Sequence, residues 1–132
     1  MRYAKRVLLA AADLVESGWC QGVEATDAEG WEVSVDSADA ERFSLTGALD
    51  ATKGEEYVDY QEDTVQYRMR QVIPVHVFTF KLSTGIADKD SMRLKHWNDE
   101  PGRTKEHIVT ALRLAANLTR AGYPRRDYLA KS

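Results

Sequence analysis

The chain has 132 residues and a mass of 14.9 kDa, inside the usual one-domain range, and a chain of this length can bury about two-thirds of its unfolded surface without help from a metal or disulfide. A hydrophobic fraction of 43% and a charged fraction of 30% exclude the composition of a disordered chain, and no apolar run approaches the length that a membrane span needs. The net charge of -3 hides 5 Lys/Arg against 15 Asp/Glu in residues 1–66 and 13 against 6 in residues 67–132, so one half can attract the other, a polyanion or an acidic partner.

Residues 2–17 place Tyr3, Val7, Leu8, Ala11, Leu14 and Val15 at three- and four-residue intervals, which predicts an amphipathic helix stopped at Gly18. Residues 19–36 read as loop, with Trp31, Val33 and Val35 alternating as one short strand would. A second helix is predicted to begin at a cap on Asp36 or Ser37 and to run through Ala40, Phe43, Leu45, Ala48 and Leu49 to about Thr52. Residues 55–63 hold five carboxylates with Tyr57, Val58 and Tyr60 interleaved, the pattern of a solvated loop or a first helical turn.

Residues 64–82 carry two signals. Val65, Met69, Val72 and Ile73 have helical spacing, but Pro74 breaks a helix interior and residues 75–80 form a β-branched and aromatic run. Helix followed by strand, or a kinked helix, both satisfy that pattern. Residues 90–96 form a short helix leading into Trp97, and Pro101-Gly102 turns the chain. Thr104 caps a last helix whose apolar face is Ile108, Ala111, Leu112, Ala115 and Leu118, ending at Gly122 with Pro124 beyond. Together these predict one mainly α domain over residues 1–132, with a small β element around residues 75–82; an α+β fold is the alternative.

Two clusters stand apart from the helical background: Trp19-Cys20-Gln21-Gly22 after the first helix and Trp97-Asn98-Asp99-Glu100-Pro101-Gly102-Arg103-Thr104 before the last. On these residues the chain resembles an uncharacterised domain family of actinobacteria and their phages, with a Trp-Cys-Gln-Gly and a Trp-Asn-Asp-x-Pro-Gly-Arg-Thr signature. The resemblance runs from the first helix through Gly47-Ala48-Leu49 and resumes at Trp97 into the last helix. It implies no activity. The family often has a second cysteine where this chain has Ser44, which argues against a two-cysteine metal or redox role.

Cys20 is the chain's lone cysteine and, with no signal-peptide pattern at the start, makes a reducing cytoplasm the expected location. A cysteine-dependent hydrolase or transferase needs a thiolate, an imidazole and a group to orient it, which Cys20, His96 or His107, and Asn98 or Asp99 supply by type. No local catalytic signature surrounds Cys20, and a cysteine beside Trp19 is expected to be a buried packing residue. His76, His96 and His107 have no metal-ligand spacing, so no metal and no cofactor is expected.

The second cluster also has a purely structural explanation: Pro101-Gly102 turns, Thr104 caps, Asp99 pairs with Arg103, and Trp97 fills the core. Its functional explanation is a polar pocket of Gln21, Asn98, Asp99 and Arg103 walled by the two tryptophans. A third possibility, nucleic-acid binding, would use the basic second half through Arg113, Arg120, Arg125 and Arg126, against a pI of about 5.6 that is wrong for a dedicated binder. The sequence therefore points to a non-enzymatic interaction protein with a protein partner, in the family's setting a phage-borne accessory factor or inhibitor of a host macromolecule. The expected contacts are Gln21, Asn98, Asp99 and Arg103, together with the acidic Glu55, Glu56, Asp59, Glu62 and Asp63, whose carboxylates can occupy a basic groove.

Overall fold

A computed structural model describes residues 3–53, 65, 68, 69, 72, 73 and 89–117. Helix α1 (Tyr3–Ser17) buries Val7, Leu8, Ala11, Ala12 and Val15 along one stripe, as its spacing predicts. Its C-terminal Gly18 is required by close approach rather than by its backbone angles. A Cβ there would stand 2.5 Å from the Glu41 carbonyl oxygen, and the Gly18 carbonyl accepts from Phe43 N at 3.0 Å.

The chain is mainly α with a small β element. Strands β1 (Ala25–Thr26) and β2 (Arg42–Phe43) pair antiparallel, with Ala25 opposite Phe43 and Thr26 opposite Arg42. Glu32 bridges the free side of β1 at Thr26, and Trp19 bridges β2 at Phe43. The expected strand at Trp31, Val33 and Val35 thus reduces to that one bridge, with Val33 and Val35 half-buried against the core and Trp31 outside it. The β element expected around residues 75–82 lies outside the described residues.

Helix α2 (Leu45–Thr52) starts later than the sequence predicts. Phe43, assigned to a helical face, instead closes the sheet, so the helix cap moves from Asp36 or Ser37 to Ser44, whose hydroxyl accepts from Gly47 N at 3.0 Å. Gly47 is forced by packing as well, since a Cβ would meet the Glu24 carbonyl oxygen at 2.0 Å.

Helix α3 (Lys89–Asp99) carries Trp97, Asn98 and Asp99 on its last turn instead of beyond it. Helix α4 (Lys105–Ala116) begins at Thr104 with a reciprocal cap, in which His107 N donates to Thr104 Oγ1 and Thr104 N donates to His107 Nδ1. Its buried Ile108, Val109, Ala111, Leu112, Ala115 and Ala116 pack along α1, the most extensive helix contact; α1 also packs on α2, and α2 on α3. Val65, Met69 and Ile73 join the same core, with Arg68 buried beside them and donating to the Ala115 carbonyl at 3.2 Å. The acidic and basic halves meet at the α1–α4 seam, where Arg113 pairs with Glu16 at 2.9 Å. Residues 118–132 lie outside the described residues.

Candidate functional site

The two signature clusters lie against each other, joined through Asn98. Its side chain has no exposure, so each of its polar atoms needs a partner inside the molecule. A carboxamide offers two donors and two acceptor directions, and all four are used. Oδ1 accepts from Trp19 Nε1 at 2.8 Å and Leu45 N at 3.0 Å, while Nδ2 donates to the Cys20 carbonyl at 3.2 Å and to Asp99 Oδ1 at 2.9 Å. Gln21 Nε2 donates to the carbonyls of Asn98 at 2.9 Å and Glu100 at 3.2 Å, and Gly22 N donates to Asp99 Oδ1 at 2.9 Å. Gln21, Asn98 and Asp99, expected to line a pocket together, are partners of one another. Asn98 has no hydrogen-bonding capacity left for a ligand.

Arg103 is turned elsewhere. It ion-pairs with Glu100 at 2.7 Å rather than with Asp99, because the Asp99 carboxylate is directed at Gly22 and Asn98. Its Nε donates to the Trp97 carbonyl at 2.9 Å, and its guanidinium lies 4.2 Å from the centre of the Trp97 ring. Trp97 is core, as expected.

A cleft of about 290 Å³ opens beside this lock, lined by Asn98, Asp99, Glu24, Glu32, Lys95 and the hydroxyls of Ser44 and Thr46 among others. Glu24 is its best-anchored wall: one carboxylate oxygen accepts from Thr46 Oγ1 at 2.8 Å, and the other meets Lys95 Nζ at 3.0 Å. Gln21, Arg103 and the two tryptophans do not line it. Three carboxylates against one ammonium make the cleft negative, suited to a cationic or neutral polar group and hostile to an anion.

The same geometry weighs against a nucleophilic role for Cys20. Its half-buried thiol is 3.6 Å from the Val23 carbonyl, and desolvation, reinforced by the negative charges of Asp99 and Glu24, pushes its pKa up to about 11. The thiol is therefore protonated at neutral pH, the opposite of what a thiolate nucleophile requires. His96 and Asn98, the remainder of that expected set, are two positions apart on α3, so they project about 200° apart. His96 is exposed on one side while Asn98 is locked on the other. His107 Nδ1 is occupied in the α4 cap. Among the described residues no group of His, Cys, Asp and Glu is placed to hold a metal ion, and no helix is long and apolar enough to cross a membrane.

The residue that sequence reasoning missed is Trp31, 73% exposed at the end of a tight turn. Asp27 pins that turn, its Oδ1 accepting from Glu29 N at 3.0 Å and Trp31 N at 2.9 Å while its own amide donates to the Trp31 carbonyl at 2.9 Å. The Asp27-Ala28-Glu29-Gly30 run signals the turn, but no local pattern tells that the tryptophan after it faces solvent. Glu55, Glu56, Asp59, Glu62 and Asp63, and the basic residues Arg120, Arg125 and Arg126, lie outside the described residues.

The chain belongs to a family of unknown function, DUF6197, whose sequence model matches residues 2–118 and so spans both signature clusters. No curated protein and no solved structure matches it.

Proposed function

We propose that this chain is a non-enzymatic interaction domain that engages a protein partner through the surface around Trp31. The supporting observation is that tryptophan itself: a large aromatic side chain, 73% exposed, on a backbone turn that three hydrogen bonds hold in place. Tryptophan is the side chain most enriched among residues that dominate binding energy, and a fixed loop loses little entropy when it docks. The signature residues add indirect support, because Asn98 bonds to Trp19 and Leu45 at the two ends of the segment that carries Trp31.

The family resemblance gives this reading its setting. An accessory factor carried by a phage, acting on a host macromolecule as an inhibitor would, needs a presented contact surface and no chemistry of its own.

The test is affinity capture from the native cell with the wild-type chain and Trp31→Ala side by side, the captured proteins being quantified by mass spectrometry. The substitution sits on the surface and leaves the turn's backbone bonds intact, so its unfolding curve should match the wild type within about 0.5 kcal/mol. A hot-spot loss of about 2 kcal/mol corresponds to a roughly thirty-fold weaker complex, and the partner should all but disappear from the variant's capture. The same proteins captured in the same amounts by both chains refute the reading.

A further inference from the structure

We infer that the surface around Trp31 is built for a basic partner segment, one Lys or Arg side chain lying over the exposed indole and others meeting the carboxylates of the segment that carries it. This rests on the interaction role proposed above and names the chemistry of the partner.

Trp31 offers the flat, electron-rich face that attracts a guanidinium or ammonium. The molecule uses this contact internally, with the Arg103 guanidinium 4.2 Å from the Trp97 ring centre. In the segment that carries Trp31 the charge is one-sided: residues 19–44 contain seven carboxylates, Glu24, Asp27, Glu29, Glu32, Asp36, Asp39 and Glu41, against the single cation Arg42. Glu29, Glu32, Asp36, Asp39 and Glu41 are all exposed, and none has an ion-pair partner among the described residues. Elsewhere the chain does neutralise its surface, as where Arg113 meets Glu16 at 2.9 Å and Asp13 at 3.8 Å.

That distribution selects among partners. A nucleic acid or an anionic lipid surface is repelled. A neutral apolar partner would have to strip water from carboxylates without replacing it. A basic polypeptide is drawn in by the same charges and covers the indole. Glu32, the next residue after Trp31, lines the cleft with Glu24 and Asp99, so the negative charge of this segment continues into that cleft.

The experiment is selection from a displayed library of random twelve-residue peptides on the full chain, with counter-selection on Trp31→Ala. Enriched peptides should carry net positive charge with at least two Lys or Arg residues. Their binding should weaken at least ten-fold in Trp31→Ala, and several-fold with a shallower salt dependence in the double variant Glu29→Gln/Glu32→Gln. Failure to enrich any peptide, enrichment of neutral or acidic peptides, or basic peptides indifferent to Trp31→Ala overturns the inference. A captured protein partner that depends on Trp31 but not on Glu29 or Glu32 overturns the inference alone and leaves the interaction role standing. Indifference of both peptide and protein capture to Trp31→Ala overturns both.

Discussion

Replacing Asn98 by Ala tests whether one carboxamide holds the two signatures together. The change strips the acceptor from Leu45 N, a buried first-turn amide of α2 with no intrahelical partner, and from Trp19 Nε1; the Cys20 carbonyl loses its donor as well. A buried group left unpaired costs about 1–3 kcal/mol. Leu45 N, in a buried bond, takes the middle of that range, and half-buried Trp19 the low end because water can reach part of it. With a small cavity added, the loss comes to about 4 kcal/mol. Against the 5–15 kcal/mol typical of folded proteins this is a major fraction, and it corresponds to a fall in Tm of roughly 12 °C for a chain of this size. Urea unfolding followed by circular dichroism measures it. Trp19→Phe removes one of the same bonds, so the two substitutions should be non-additive by about 1 kcal/mol in a double-mutant cycle. An Asn98→Ala protein within about 1 kcal/mol of wild type, or strict additivity with Trp19→Phe, refutes the lock.

Four further outcomes follow from three sites. Because the Cys20 thiol is raised to about 11 when folded, it should alkylate far more slowly in native than in denatured protein at pH 8. A raised folded pKa gives stability that is full below the ordinary thiol value and lost as pH rises toward 11, so Cys20→Ala should flatten the alkaline limb of a stability-pH profile. Gly47→Ala should destabilise by about 2 kcal/mol in thermal unfolding despite alanine's better helix propensity, since its methyl would press on the Glu24 carbonyl; a stabilised variant contradicts that packing. Thr104→Ala removes the α4 cap and should cost about 1 kcal/mol, read from the urea midpoint.

Helix α1 and the start of α4 were legible because their signals are local: apolar residues three and four apart, a Thr cap, and a glycine after the last turn of α1; α4 ends at Ala116, short of the Gly122 stop the sequence suggested. The start of α2 was not. Asp36, Ala40 and Phe43 carry acceptable helical spacing, and only the pairing of Phe43 with Ala25, a long-range contact, decides for a strand. Asn98 shows the same limit from the other side. Its neighbours in sequence suggested a polar pocket, whereas its partners come from Trp19, Cys20 and Leu45, far from it along the chain, and together they convert a candidate ligand group into a structural one. The non-nucleophilic character of Cys20 was readable from the lack of a catalytic signature, but its expected burial was not met, since the side chain is half-buried and outside the core. Trp31 was not, because a tryptophan in a loop gives no local sign of whether it plugs the core or faces water.

The lock and the exposed tryptophan sit on the same segment of chain, and a coupling between them can be tested. Asn98 Oδ1 accepts from Trp19 at the start of the 19–44 excursion and from Leu45 just past its end, so a single atom cinches the base of the segment that carries Trp31. Removing the Trp19 bond alone with Trp19→Phe should therefore loosen the segment before it loosens the bundle. Hydrogen exchange reads this residue by residue: the amides of Cys20 and Phe43, which bond across the base to the Phe43 and Gly18 carbonyls, should exchange faster, while buried α1 and α4 amides keep their protection. Loosening of this kind raises the ordering entropy of docking, so the variant should also bind a Trp31-dependent partner more weakly although Trp31 and its carboxylates are untouched. Unchanged exchange at Cys20 and Phe43, or equal acceleration through α1 and α4, would mean that the excursion has no local stability of its own and that Asn98 serves the whole fold and not the presentation of Trp31.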